Sequence, residues 1–121
     1  MKPINLKQKL SLFTTQWHPH LIAEGSSLQA YLSKIQGELV MHTHDSGDEF
    51  FYVVEGAMEV RFKDHSVPGK KGEVVLIPKG VEHCPHTEPG VEVHLLVVES
   101  LGTTHTGNVE SERTVKEFNR I

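Results

Sequence analysis

Only one cysteine, Cys84, stands among the 121 residues, which excludes an internal disulfide and fits a reducing compartment. No apolar run approaches the roughly 20 residues that cross a bilayer. Lys7 and Lys9 interrupt the stretch where a secretory signal would need its apolar core. The expected setting is therefore the cytoplasm, without a membrane partner. Lysine and arginine number 12 against 16 acidic residues, a net charge of -4. They are scattered, so the basic stripe of a nucleic-acid binder is missing. Apolar residues at 37% and charged residues at 23% exclude a disordered chain. The length suits one domain, read here as residues 1–121 with a core over 27–100. What the chain has in quantity is histidine: nine, spread from His18 to His105. Histidine is the commonest metal ligand, so the question is which histidines share a face.

Residues 5–13 predict a short helix, with Asn5 as N-cap, Gln8 three residues on, and Leu6, Leu10 and Phe13 on one face. Residues 17–25 are weaker, and His18-Pro19-His20 reads as loop. The period then becomes two. Strands are expected over 27–35, 39–44, 49–54, 57–63, 73–77, 81–86 and 91–98, with a Pro/Gly/Lys-rich loop over 64–72 and turns at Asp45–Asp48, Glu55-Gly56 and Pro78–Gly80. Close-spaced short strands with Gly/Pro turns imply an all-β sandwich or barrel. Beyond Leu101 the chain is polar and reads as a tail packed over that barrel or partly loose.

His42-Thr43-His44 is the first half of a site. Residues two apart on a strand share a face, with Cα atoms about 6.5–7 Å apart, and two imidazoles can span that gap to one metal. If Asp45–Asp48 makes a hairpin loop, Glu49 begins the return strand opposite His44 and shares its face. His83, beyond the Pro78–Gly80 turn on the far side of the expected sheet order, is the best fourth ligand. Three nitrogens and one oxygen suit one divalent transition metal per chain, such as Fe, Mn, Zn or Ni, rather than Ca or Mg. Positions left open on the metal would make the site catalytic in type.

These residues resemble the two motifs of the cupin superfamily. The first sets a Gly before His-x-His, then Glu and a closing Gly; Gly37, His42, His44, Glu49 and Gly56 take those places, with four residues between Gly37 and His42. The second sets Gly, Pro-x-Gly, His and Asn; Gly72, Pro78, Gly80 and His83 match, and Thr87 stands where the Asn falls. The resemblance implies a double-stranded β-helix, the cupin jelly-roll barrel, often dimeric, with the metal inside. The chain is further similar to small single-domain bacterial cupins sometimes labelled mannose-6-phosphate-isomerase-like.

The other histidines read differently. His86 points away from His83 by strand alternation, His94 is a hydrogen-bonded core or pocket-lining residue, His18 and His20 are structural or part of a mouth, and His65 and His105 are surface. Cys84 points away from the metal as a buried thiol. Phe51, Val53, Met58, Val60, Phe62, Leu76 and Leu96 are expected in the core. Phe50, Tyr52 and Val54 face outward, needing cover from the N-terminal segment or from a second copy in a homodimer. Two functions fit: a mononuclear metalloenzyme with dioxygenase- or isomerase-type chemistry on a small molecule in the barrel, or a non-catalytic ligand- or metal-binding sensor barrel. No arginine is placed to grip a phosphate, which weighs against a sugar-phosphate isomerase.

Overall fold

Alternation of burial along the strands builds two facing layers. In the computed structural model, which describes all residues except 102, 104, 105, 112, 116 and 117, the clearest case is Val93–Ser100. Buried and half-buried residues alternate there along the whole strand, so Val93, Leu95, Val97 and Glu99 point inward. The elements are α1 (Leu6–Leu10), β1 (His20–Glu24), β2 (Leu28–Ile35), β3 (Glu49–Glu55), β4 (Ala57–Arg61), β5 (Ser66–Lys70), β6 (Val74–Ile77), β7 (Cys84–His86), β8 (Val93–Ser100) and β9 (Asn119–Arg120). One sheet runs β6-β3-β8-β2-β1-β9 and the other β5-β4-β7, a jelly-roll β-sandwich. Phe51, Val53, Leu95 and Val97 of the large sheet meet Met58 and Val60 of the small one in a single apolar core.

The outer face of the large sheet is covered on one side only. Leu10 and Phe13 of the N-terminal segment pack on Ile22 and Leu32, with Val54 and Leu96 at the margin. Helix α1 is capped as expected, Gln8 N donating to Asn5 Oδ1 at 2.8 Å. It stops at Leu10 rather than running to residue 13. The buried Lys34 ammonium donates to Leu10 O at 2.9 Å and Phe13 O at 2.6 Å, satisfying carbonyls left without an intrahelical partner at the helix end. Phe50, Val74 and Leu76 on the uncovered side remain exposed.

Several expectations need correction. Residues 39–44 form no ladder strand; the only β-pairing in this stretch among the described residues is the isolated bridge of His42 to His83, with a second isolated bridge, Glu38 to His86, just before it. Residues 66–70, read as loop, pair with β4 in full register, and Pro68 is tolerated because β5 is an edge. His20–Glu24, read as weak, pairs with β2 through a bulge. Leu76 and Leu96 face outward. Phe50, Tyr52 and Val54 point outward as alternation requires.

Candidate metal centre

The backbone that carries His42 and His44 is held against the turn that carries His83. His42 N donates to His83 O at 3.0 Å and His83 N returns the bond to His42 O at 2.9 Å, while Gly80 N donates to His44 O at 2.9 Å. This doubly bonded antiparallel pair sets the His42 and His83 rings 4.3 Å apart. His83 is thus the direct neighbour of His42, not a residue from across the sheet order. Glu49 also arrives by another route than a hairpin. Its cross-strand partner is Ile77 of β6, and its side chain crosses the interior from the large sheet to meet imidazoles held outside it.

The convergence itself is as expected. His42, His44, Glu49 and His83 each offer a ligand atom, all within 4.8 Å of one another. All four are at most 4% exposed. His83 Nε2 lies 3.1 Å from Glu49 Oε1, His44 Nε2 lies 3.1 Å from Glu49 Oε2, and the His42 and His44 Nε2 atoms are 3.2 Å apart. Ligand atoms about 2.0–2.1 Å from a common metal stand roughly 2.9–3.4 Å apart when adjacent in its coordination sphere, so these spacings fit one ion.

Two backbone carbonyls prepare the donors. His42 Nδ1–H donates to Val40 O at 2.7 Å and His83 Nδ1–H to Val81 O at 2.9 Å. Each bond holds the proton on Nδ1 and leaves the Nε2 lone pair facing inward, the arrangement typical of metal-ligating histidine. Burial, followed by the neighbouring His83, lowers the His42 pKa to about 4, with the Val40 bond working the other way, so the ring is neutral at pH 7. Burial alone would raise Glu49. The close approach of the His44 and His83 rings, then of the Glu99 carboxyl, outweighs it and holds the Glu49 carboxyl well below its usual range. Two buried atoms of the cluster, His44 Nδ1 and Glu49 Oε2, lack a partner in hydrogen-bond geometry. That holds for Oε2 despite its 3.1 Å approach to His44 Nε2, which is close but poorly aligned. A cation among the four groups would satisfy the inward carboxylate oxygen, and the donor set fits a divalent transition metal.

Sequence reading missed Glu99. It is 4% exposed and accepts from Gln29 Nε2 at 3.2 Å. Burial first, then hydrogen bonding with Glu49 and the charge of Glu49, push its pKa far up, so it carries a proton at neutral pH. The signal was present: Glu99 continues the inward phase of Val93, Leu95 and Val97, one residue past the expected strand end.

The remaining histidines lie apart. His94 faces outward and bonds to Glu92 at 2.9 Å, His86 sits half-buried 3.8 Å from Glu38, and His65 is exposed. The His18 and His20 rings meet at 5.1 Å, tilted by 35°, with His20 against Phe13 at 4.0 Å. His105 lies outside the described residues. Cys84 is buried with its thiol on Leu39 O, and burial raises its pKa. Thr87, at the Asn position of the second motif, closes the turn to Gly37: Thr87 N donates to Gly37 O, and Thr87 Oγ1 accepts from Gly37 N, both at 2.7 Å.

The C-terminal segment covers one side of the cluster. Asn108 and Thr43 exchange two bonds, Asn108 N to Thr43 O at 3.1 Å and Thr43 N to Asn108 Oδ1 at 2.9 Å. Gly107 approaches so closely, at φ 54, that a Cβ there would collide with Thr43 O and the His42 ring. A pocket of about 310 Å³ between this segment and residues 43–46 includes His44. Inside the sandwich, the space beside Glu49 is about 20 Å³, room for a single water.

Comparison with known proteins places this site in a family. The cupin domain model matches residues 33–99, which contain all four converging residues. A cupin-2 domain protein from Shewanella frigidimarina is similar at 40% identity and TM-score 0.76, over 80% of this chain and 93% of that one. A protein from Neisseria meningitidis is 35% identical with TM-score 0.74, over 82% and 99%. Among curated proteins, SchB of Streptomyces halstedii is 40% identical over 55 residues, 46% of this chain and 40% of its own length. The uncharacterized YdbB of Bacillus subtilis is 40% identical over 53 residues, 43% and 47%. The matched stretch spans less than half the length of those two curated relatives. With the motif residues converging in a jelly roll and the family model spanning them, the chain belongs to the cupin domain family.

Proposed function

We propose that the chain holds one divalent transition metal, Fe, Mn, Zn or Ni, on His42, His44, Glu49 and His83, and uses it as a mononuclear metalloenzyme acting on a small molecule. The observation that carries this reading is the convergence of four buried ligand atoms within 4.8 Å. Burying polar groups costs stability unless they are partnered, and apolar residues would fill the space more stably. A bound metal supplies Lewis-acid polarisation of a carbonyl or hydroxyl, or O₂ activation if it changes oxidation state. The chain supplies the rest. Val40 O and Val81 O hold two imidazoles in the ligating tautomer, Glu49 brings negative charge, and the buried Glu99 carboxyl is held by Gln29. Among the described residues neither arginine nor lysine lines the cavity beside Glu49 or the pocket beside His44, so sugar-phosphate isomerisation has the least support.

A second reading, a sensor or binding barrel without turnover, is favoured by the 20 Å³ of space beside Glu49. Metal content of untagged protein, with the His42→Ala/His44→Ala double variant as control, tests the common part. One metal per chain, lost in the variant, is expected; stoichiometric metal retained by the variant contradicts it. Oxygen uptake on catechols, thiols and keto acids then separates turnover from ligand-dependent thermal shifts alone.

Two further features belong to this proposal. Exposed Phe50 and Leu76 are cross-strand partners, as are Tyr52 and Val74, an apolar stripe suited to a two-fold homodimer. Among the described residues no helix is long and apolar enough to cross a membrane, and the free buried thiol suits a reducing cytoplasm.

A further inference from the structure

Trp17 is the one described non-glycine residue with positive φ, at 58°, a conformation that L side chains avoid and that a bulky residue holds only when its surroundings enforce it. Two bonds enforce it here: Trp17 N donates to Lys34 O at 2.9 Å and Nε1 to Gln36 O at 3.0 Å. The result is to drive the indole into the sandwich. It lines the small interior cavity with Tyr31, Ser33, Phe51, Leu95 and Glu49. On its other side lies an outer pocket of about 370 Å³ bounded by Gln16, His18, Arg113 and Val115, with the Arg113 guanidinium 4.6 Å over the ring. Among the described residues Trp17 alone borders both spaces, so the indole is the wall between solvent and the interior beside Glu49.

We propose that Trp17 is the gate of the barrel and that the ligand admitted there is a small, mainly apolar molecule with one polar head. Swinging out about its side-chain torsions, the indole vacates space on the order of the roughly 150 Å³ that holds a benzene-sized guest. The freed walls are Tyr31, Ile35, Phe51, Leu95 and Val97, apolar apart from the Tyr31 hydroxyl, with Ser33 and the Glu49 end for the head. The orientation of the head rests on the metal reading above; the gate does not.

Because Trp17 is the only tryptophan, its emission reports its own surroundings. The test uses cyclohexanol, an apolar body with one hydroxyl, on metal-loaded and metal-stripped protein. The gate predicts a saturable red shift of emission as the indole moves toward water. It also predicts at least tenfold tighter cyclohexanol binding, by calorimetry, in Trp17→Phe, and tighter still in Trp17→Gly, whose backbone accepts the positive φ, because the cost of opening is removed. Binding without an emission change, binding confined to the variants, or equal affinity in all three proteins overturns the gate. A red shift with tightened variants in a protein that takes up no metal leaves the gate standing and removes the metal reading; one metal per chain with no emission response does the reverse.

Discussion

Two backbone carbonyls decide which nitrogen His42 and His83 offer to the interior, and one missing Cβ lets the chain close over them. Gly107 lies where a side chain would strike Thr43 O and the His42 ring. Gly107→Ala should displace His42 and weaken metal binding roughly ten- to hundredfold, as loss of a ligand's outer support does; chelator competition measures this, and unchanged affinity would mean the segment does not touch His42 in solution. His20 gives a pH test away from the ligands. Burial first, then His18 and Lys34, lowers its pKa below 6.5. A histidine whose folded pKa is depressed contributes stability present above the unfolded value and lost as pH falls through the folded one. The His20→Phe variant, which keeps a ring against Phe13 but cannot titrate, should therefore lose less stability than the parent between pH 7 and pH 5. Parallel denaturation midpoints across that range would refute this. The converging set was legible in the residues because His-x-His spacing and the Pro-x-Gly turn are local chemistry. Glu99 was not, because only tertiary placement brings the end of β8 beside Glu49.

At the scale of elements, α1 has five residues, too few to persist alone, and depends on the Lys34 ammonium at its C-terminal end. Replacing Lys34 by Met leaves the Leu10 and Phe13 carbonyls without that donor. The cost should be about 2–4 kcal/mol in urea unfolding, with earlier proteolysis near residues 5–13; a loss below about 0.5 kcal/mol would show the clamp is incidental. The same scale shows where period-two reading works and fails. It located β3, β4, β6 and β8 because each alternates against a buried face, and β2 although that strand is buried on both faces from Tyr31 to Ile35. It missed β5, whose Pro68 and Gly69 mimic a turn, since edge pairing asks little of side chains. It overextended 39–44, where the ligand-bearing backbone bonds through isolated bridges instead of a ladder. The error in the Glu49 register had the same source: a hairpin was assumed where the chain crosses between sheets, and the two routes happen to deliver the carboxylate to the same place.

Across the whole molecule, the large sheet presents one covered and one bare half outside, and the interior is closed by Trp17 on one side and the Gly107–Asn108 segment near the other. If the bare half pairs in solution, Leu76→Glu should convert a dimer to a monomer in sedimentation velocity while leaving metal content unchanged; a protein monomeric before substitution would refute the pairing. The all-β architecture followed from strand spacing and turn chemistry, whereas the closure of the interior did not, since nothing local in Trp17 or Gly107 announces what either will touch.

The central claim is that three imidazoles and one carboxylate share a single ion. Anomalous diffraction at the absorption edge of the metal that copurifies tests it most directly. The account predicts one peak per chain, about 2.0–2.2 Å from Nε2 of His42, His44 and His83 and from a Glu49 oxygen. A peak at any other place on the chain, with those four side chains bonded only to one another, would contradict it.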